Sequence, residues 1–311
     1  MPIFLLGAVA ALVFLNGATD ASNAIAAAVS SGALSMRRAA ILAAVGNALG
    51  GACAVLFFGG IGESVAEAAD FGTFGVAGVL SSLIATVTFT AAAWRMRMPT
   101  SESHALLSAA AGVRAVLVGD GILKAVAPAL LWMTLCTLGG FGMGVLFARC
   151  VPRTLKMRTV RRLQILSAFA ASFFHGVQDL PKFIALLFVA GVPDSPLLWA
   201  AAVAVMAVGT RLGGRRMTEA VGADLAELTP CGALASDFAA AGTLFLLSVC
   251  GVPASTTHAK TAAVAAAALR ADGCFLHRRQ LGRFLIAWLI TFPVCAALGC
   301  IAARVALCIL A

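Results

Sequence analysis

The sequence predicts an all-α integral membrane protein that consists of two inverted repeats with broken helices and paired re-entrant hairpins. The first observation behind this prediction is composition: 61% of the 311 residues are hydrophobic and 11% are charged, whereas soluble domains are about 25% charged. The second observation is a succession of long apolar segments, and the third is the recurrence of two polar motifs in the same order. Composition alone excludes a soluble enzyme.

Ten apolar segments follow one another along the chain, and several are too short to cross a bilayer. They run at about 3–34, 39–60, 74–94, 104–118, 122–149, 163–192, 197–210, 236–252, 259–269 and 284–310. A crossing helix needs about 20 apolar residues. The short segments 236–252 and 259–269 flank a polar turn, which is typical of a re-entrant hairpin. The same pattern surrounds residues 99–104.

Two polar motifs occur twice. The stretch NGATD at 16–20 matches HGVQD at 175–179 with an offset of 159 residues. The stretch PTSESH at 99–104 matches PASTTH at 253–258 with an offset of 154 residues. Because unrelated motifs recur in one order at nearly one offset, the chain is predicted to contain a duplicated half.

The most basic stretch of the chain is the predicted boundary between the halves. The first repeat is predicted to span 1–148, a basic linker 149–162 and the second repeat 163–311. Since basic residues collect in cytoplasmic loops, the linker is predicted to be cytoplasmic and the net charge of +9 indicates topology rather than a nucleic-acid partner. Three crossings and one hairpin per half invert the second copy and leave both termini outside.

Two acids lie inside apolar segments. An ionised side chain at a helix centre in the bilayer costs at least ~2.5 kcal/mol, so Asp20 and Asp179 need a function or a partner. Gly17 and Gly176 predict a break in each helix, which frees carbonyl groups for cations and N–H groups for anions. The alternative is that each acid only pairs with a polar neighbour, but the repetition favours ion binding.

The two hairpin turns carry hydroxyl groups at the predicted start of a helix. Ser101 and Ser103 lie in the first turn, and Ser255, Thr256 and Thr257 lie in the second. Hydroxyl and backbone N–H groups at a helix start bind oxyanions. An ordinary N-cap is the alternative for a single turn, but the repeated turn with a matching acid favours an anion site.

Buried basic residues accompany these motifs. His104 and His258 follow the turns directly, and with His175 they are predicted to cap or pack rather than to move protons. Lys182 and Lys260 lie in apolar surroundings. Each lysine is predicted to be the counter-ion of a carboxylate, with contact to a bound anion as the alternative.

These motifs resemble those of the inorganic phosphate transporter (PiT) family of cation-coupled symporters. The matching stretches are 16–24, 99–104, 175–182, 227–230 and 253–258. The resemblance implies an inverted-repeat fold in the cell membrane with phosphate near the midplane, usually as a homodimer. It implies no organic cofactor and no transition metal, with Na⁺ or H⁺ as the coupling ion.

The resemblance also implies a set of site residues. Substrate binding would fall to Ser101, Ser103, Ser255, Thr256, Thr257, Asp20 and Asp179, and cation binding to Asp20, Asn23, Gln178 and Asp179. The sequence departs from the family pattern at Thr19, Gln178 and Pro181, and above all at Glu102, where the first turn usually has Thr. Glu102 would repel an anion unless it faces away, binds a proton or cation, or pairs with Lys182 or Lys260.

The predicted function is import of inorganic phosphate by symport with sodium or protons, through alternating access around a midplane site. The alternatives are a permease for another oxyanion such as sulfate, a membrane-embedded hydrolase or phosphotransferase, and a passive anion channel. Phosphate is favoured over sulfate because it keeps a proton near neutral pH that an ionised Asp can accept. A hydrolase is disfavoured because catalysis by one nucleophile does not explain why the polar motifs occur in two copies. A passive channel is disfavoured because buried carboxylates are suited to binding a co-transported cation.

Overall fold

The computed structural model describes residues 2–57, 59–119, 121–152, 154–213 and 215–310, most of which are helical. The helices of the first half are α1 Pro2–Thr19, α2 Ala21–Ser30, α3 Met36–Phe57, α4 Gly59–Ala68, α5 Gly75–Arg95, α6 Glu102–Leu117 and α7 Ile122–Cys150. Those of the second half are α8 Met157–Val189, α9 Pro196–Gly213, α10 Arg215–Glu219, α11 Pro230–Val249, α12 Thr256–Arg270 and α13 Arg278–Leu310. A 3₁₀ turn covers Gly72–Phe74 and a π-helical turn covers Ala220–Asp224.

Seven helical segments of the described chain are long and apolar enough to cross a membrane. They are Ile3–Ser30, Met36–Val55, Gly72–Arg95, Val126–Cys150, Pro196–Gly213, Pro230–Val249 and Arg278–Leu310. The first arms of both hairpins are among them. The arm α11 begins six residues before the apolar segment predicted at 236, because the Thr229 hydroxyl accepts the N–H of Gly232 as an N-cap and Pro230 suits the first helical turn.

The two halves repeat one order of helices. Helices α1 and α2 correspond to α8, and α3 with α4 corresponds to α9 with α10. The hairpin of α5 and α6 corresponds to that of α11 and α12, and α7 corresponds to α13. The predicted all-α membrane fold with an inverted repeat and paired hairpins is confirmed.

Each half packs against the other through equivalent helix pairs. Helix α3 lies along α8 as α9 lies along α1, and α6 lies along α13 as α12 lies along α7. A Cβ atom on Gly50 would lie 1.9 Å from the carbonyl oxygen of Phe173, and one on Gly209 would lie 2.2 Å from that of Phe14. These two contacts are related by the 159-residue offset. The duplication therefore extends from the motifs to the packing of the backbone.

A one-residue discontinuity lies at the first buried acid, where Asp20 keeps right-handed helical backbone angles (φ −78°, ψ −33°), and none lies at the second. Helices α1 and α2 meet at Asp20, whose N–H donates to the carbonyl of Asn16 at 2.9 Å. Helix α8 is continuous through Gly176 and Asp179, so the break predicted there is absent. Gly176 instead allows close packing, since a Cβ atom on it would lie 2.2 Å from the carbonyl oxygen of Asn47.

The turns of the two hairpins have the same conformation. Arg97 has φ 55° and its counterpart Gly251 has φ 68°, so both turns use the left-handed region. The second arms then begin at Glu102 and Thr256, which occupy equivalent positions. These turns supply the helix starts that the sequence predicted.

Two features differ from the sequence prediction in detail. The strands Ala226–Glu227 (β1) and Phe275–Leu276 (β2) form a small antiparallel pair that an all-α prediction omits. The loop between α7 and α8 covers only 151–156, so the arginines at 158, 161 and 162 of the predicted linker lie on the exposed surface of the first turns of α8.

Candidate functional site

The four polar motifs converge on one buried cluster. Its members are Asn16, Thr19, Asp20, Asn23, Thr100, Ser101, Glu102, Ser103, His175, Gln178, Asp179, Lys182, Ser255, Thr256 and Thr257, none of which is more than 8% exposed. One atom each of Asp20, His175 and Asp179 lies within 4.8 Å of the other two. In this conformation the cluster is therefore shielded from solvent, and Asp20 and Asp179, two of its three acids, lie close to each other.

Asp20 is held by the hairpin of the opposite half. Its Oδ1 accepts hydrogen bonds from the Thr257 hydroxyl at 2.6 Å and from the Asn23 amide at 3.2 Å. Thr256 donates to Oδ2 at 3.4 Å. The Thr257 hydroxyl also lies 3.3 Å from the carbonyl oxygen of Thr100 in the first hairpin turn. We call Asp20, Asn23, Thr257 and the carbonyl of Thr100 the Asp20 site.

Asp179 is held in the equivalent way, but with a lysine. The Lys182 ammonium contacts Asp179 Oδ1 at 2.7 Å, Ser103 Oγ at 2.9 Å and the carbonyl oxygen of Ala254 at 2.6 Å. Lys182 is completely buried. Lys182 thus lies in contact with the acid for which a counter-ion was predicted, and we call these four groups the Asp179 site.

Glu102 lies between the two acids and carries no lysine partner among the described contacts. Its carboxylate accepts the Thr19 hydroxyl at 2.5 Å and the Asn16 amide at 3.3 Å. The same amide nitrogen donates to Asp179 Oδ2 at 3.1 Å. The option that Glu102 pairs with Lys182 or Lys260 is thus not realised. Asn16, which the sequence analysis did not select, links two carboxylates.

His175 belongs to the cluster rather than to the general packing. Its Nδ1 donates to Asn47 Oδ1 at 2.9 Å, and the Asn47 amide donates to the Thr210 hydroxyl at 2.8 Å. This leaves Nε2 facing Asp179 Oδ2 at 3.1 Å, a contact that is attractive only with a proton on Nε2. Asn47 and Thr210 were not predicted as site residues. Asn47 lies on α3, which packs against α8, and Thr210 lies on α9, which packs against α1, and only this packing shows that they support His175.

Gln178 binds the second hairpin turn instead of facing the acids. Its Oε1 accepts the N–H of Ala254 at 2.8 Å, and its amide nitrogen donates to Ser248 at 2.8 Å and to the carbonyl of Val252 at 3.3 Å. Because both ends of the amide are engaged by the hairpin, we assign Gln178 to holding the turn rather than to the cation site that was predicted for it.

Two of the predicted anion-binding hydroxyls cap the second arms of the hairpins. Ser101 and Ser255 accept the N–H groups of His104 and His258, each at 3.3 Å. A hydroxyl that only caps keeps its own hydrogen and can still donate to an anion, which holds for Ser101, and for Ser255 when His258 Nδ1 is the donor of the bond between them. The first backbone N–H groups of α6 and α12 have no acceptor within their own helices. Caps and oxyanion contacts are therefore compatible at these turns.

The histidines after the turns pack against each other, as predicted. The rings of His104 and His258 lie 4.9 Å apart in an edge-to-face arrangement, and His258 also lies 3.8 Å from the Trp288 ring. The Nδ1 atom of His258 bonds Ser255 Oγ at 2.6 Å. The two turns thus meet through these rings.

Lys260 also has a carboxylate partner, which the sequence analysis missed. It forms an ion pair with Asp237 on the first arm of the same hairpin, and the two side chains are 2% and 0% exposed. An acid and a base on the two arms of one hairpin were the available signal. Because Lys260 is committed to Asp237, it does not belong to the cluster around Asp20 and Asp179.

A membrane fold of two inverted halves that encloses a polar cluster supplied by both halves is typical of membrane transporters. The model of the phosphate transporter family matches residues 16–159 and 151–299. The chain therefore belongs to the phosphate transporter family.

Individual relatives agree with this assignment. A protein of Mycobacterium bovis named "Probable low-affinity inorganic phosphate transporter" is 31% identical over 307 residues, which are 92% of this chain and 73% of the relative. A Bacillus subtilis protein of the same name is 29% identical and covers 93% of this chain and 92% of its own. A zebrafish (Danio rerio) "Sodium-dependent phosphate transporter 1-B" is 31% identical over 144 residues, 42% of this chain and 22% of the relative.

One solved structure has the same fold. It is titled "The sodium-dependent phosphate transporter" and matches with a TM-score of 0.80 and 22% identity, over 97% of this chain and 98% of that chain. The names of the family and of these relatives indicate a transporter rather than an enzyme.

Proposed function

We propose that this protein imports inorganic phosphate by symport with sodium ions or protons, through alternating access around the cluster that contains Asp20 and Asp179. The observation that carries the proposal is a charge imbalance at a site for an anion. Asp20, Glu102 and Asp179 bring three carboxylates, whereas Lys182 is the one lysine that the described contacts place there. A phosphate ion adds further negative charge.

This imbalance makes coupling a physical requirement. When all three carboxylates are ionised, two negative charges remain unbalanced with His175 neutral, and one remains with His175 protonated. Like charges in a buried site repel strongly because the surroundings screen them poorly. Phosphate can bind beside them only if cations or protons enter with it, and this is the thermodynamic basis of symport.

Phosphate itself is proposed to bind at the facing starts of α6 and α12. The helix dipoles and free N–H groups at these starts attract an anion. Ser101, Ser103, Ser255 and Thr256 add hydroxyl donors from the two turns. In this closed conformation some of these hydroxyls bind Asp20 or Lys182 instead, so entry of phosphate has to exchange hydrogen bonds rather than fill an open pocket.

Uptake of labelled phosphate into proteoliposomes, with sodium and pH gradients imposed separately, tests the function and identifies the ion. Symport predicts accumulation of phosphate against its gradient when one of the cation gradients is present. Equilibration without accumulation under both gradients would show a passive channel. Competition by excess sulfate tests the alternative oxyanion, because sulfate lacks the proton that a carboxylate of the site can accept.

Thr256→Ala is expected to weaken phosphate binding by roughly ten- to a hundredfold, because a hydrogen bond to a charged group contributes ~1.5 to 3 kcal/mol. Thr256 does not cap its helix, so the loss is not expected to come from helix stability. Isothermal titration of the purified variant with phosphate measures the effect. Ser30→Ala is the matched control, since that hydroxyl bonds the carbonyl of its own helix at Ala27, and unchanged affinity in Thr256→Ala would remove the turn from the site.

The proposed orientation places both termini outside the cell membrane and the loop 151–156 in the cytoplasm. In a background without the nine native cysteines, Glu67→Cys is expected to react with an impermeant maleimide from outside, and Met157→Cys only after the cytoplasmic face is opened. Both side chains are exposed in the structure. Labelling of both from one face contradicts this orientation. A homodimer, which the family resemblance implies, is part of the same proposal.

A further inference from the structure

Lys182 and Asn23 occupy equivalent positions in the two halves. They are separated by the 159 residues that relate Asp20 to Asp179. Their contacts are equivalent as well: Asn23 bonds Asp20 and Thr257, and Lys182 bonds Asp179 and Ser103. The structure thus contains two versions of one site, which differ in whether an amide or an ammonium group lies beside the acid.

The surroundings of the Lys182 ammonium are those of a bound cation. A carboxylate, a hydroxyl and a backbone carbonyl each place one oxygen between 2.6 and 2.9 Å from Nζ. Oxygen ligands of these three kinds bind hard cations in proteins, and broken helices in transporters supply them. An ammonium group has three hydrogens, and each has an acceptor here. None is left to donate to phosphate.

The Asp20 site has the same kinds of oxygen ligand but no lysine among its described contacts. Its carboxylate, the Thr257 hydroxyl and the carbonyl of Thr100 correspond to the three ligands of Lys182. Asn23 adds a side-chain oxygen, Oδ1, which is buried and has no hydrogen-bond partner. An unpaired buried acceptor is costly, and a half-turn of the Asn23 amide, which now turns its nitrogen toward Asp20 and Thr257, would offer Oδ1 to a cation bound beside Asp20.

We propose that Lys182 is a tethered cation that permanently fills the Asp179 site, so that only the Asp20 site exchanges a coupling ion during transport. This assignment rests on the proposed function. A lysine at position 182 reduces the number of mobile cations per transport cycle by one, compared with a protein of the same architecture that has an amide side chain at both position 23 and position 182. Because Lys182 contacts Ser103 in one hairpin and Ala254 in the other, it also joins the two turns whether or not a coupling ion is bound.

The number of sodium ions that accompany phosphate is the quantity to measure. Under linkage, the slope of the logarithm of phosphate affinity against the logarithm of sodium concentration gives the number of sodium ions taken up with phosphate. Isothermal titration with inorganic phosphate, at constant pH and with choline replacing sodium, supplies this slope. The wild-type protein is expected to give a slope of at most about one, and zero if a proton occupies the Asp20 site.

Lys182→Asn gives the second site the residue of the first and opens it to a mobile ion. Its slope is expected to exceed that of the wild type by about one, whichever ion the Asp20 site takes. The double variant Asp237→Leu with Lys260→Leu is the matched control, because it removes the other buried lysine together with its partner and leaves the cluster intact. Its slope is expected to equal that of the wild type.

Three outcomes overturn the assignment. The first is a slope near two in the wild-type protein, which needs no variant and decides the matter even if Lys182→Asn does not fold. The second is an unchanged slope in a folded Lys182→Asn that still binds phosphate. The third is loss of phosphate binding by that variant at every sodium concentration, as expected of a lysine that contacts the anion. If the wild type binds no phosphate, the proposed function itself fails, and the assignment fails with it.

Discussion

Asp20→Asn is expected to abolish coupled phosphate uptake while the protein remains folded and inserted in the membrane. The amide is nearly the same size as the carboxylate, and removing a buried charge lowers the cost of placing this segment in the bilayer. The amide oxygen can still accept the Thr257 hydroxyl, so what is lost is the negative charge that would bind the coupling ion. Proteoliposome uptake measures the function, and size-exclusion chromatography with thermal unfolding measures the fold.

Asp179→Asn provides the comparison. This substitution removes the charged partner of Lys182 and leaves an ammonium group buried in the protein. Breaking a buried pair from one side is strongly destabilising, so loss of uptake in this variant has two causes, whereas Asp20→Asn has one. Wild-type uptake by Asp20→Asn would show that this acid is structural.

Lys260→Leu is expected to lower the free energy of unfolding by ~3 to 5 kcal/mol, because it leaves the Asp237 carboxylate buried without its counter-ion. Asp237 is completely buried, and its Oδ2 already has no hydrogen-bond partner. Denaturant unfolding of the purified protein in detergent measures the loss. A single variant as stable as the wild type would show that the ion pair contributes nothing to stability.

The first half of the chain suggests how to restore that stability. The positions equivalent to Asp237 and Lys260 are Leu83 and Leu106, both buried in one apolar cluster. Replacing a buried ion pair with well-packed apolar side chains is often neutral or stabilising. The double variant Asp237→Leu with Lys260→Leu is therefore expected to recover most or all of the stability that Lys260→Leu loses.

Much of the fold could be predicted because short motifs recur in the same order in both halves and so reveal the duplication. The hairpin turns at 99–104 and 253–258 and the acids at 20 and 179 carry the repeat through regions where hydropathy alone is uniform. The continuous helix through Gly176 could not be predicted. A glycine is compatible with a helix break and also with a close contact between two helices. At Gly176 the contact is the outcome, because the backbone of Asn47 on the neighbouring helix lies directly against it.

The site was predicted in its parts but not in its pairing. Asp20, Asp179 and the turn hydroxyls were recognised, but the sequence does not show that Asp20 meets the second hairpin directly and that Asp179 meets the first hairpin through Lys182. That arrangement assigns Lys182 to Asp179 and leaves Asn23 with Asp20. Asn47 and Asp237 were missed because single polar residues in apolar helices carry no pattern until a second helix is placed beside them.

The exchange of partners between the halves bears on how such a chain can arise. A half-length chain with this architecture lacks the hairpin hydroxyl that the other half supplies to the site of its own acid, so it completes that site only with a second, inverted copy of itself. In that assembly of two identical chains both sites are identical by symmetry, so a lysine at this position would be present in both sites. The difference between Asn23 and Lys182 therefore requires two copies that are encoded separately, and one polypeptide with two halves provides them. In such a chain one half can carry a fixed charge, as proposed for Lys182, while the equivalent position of the other half keeps a neutral amide.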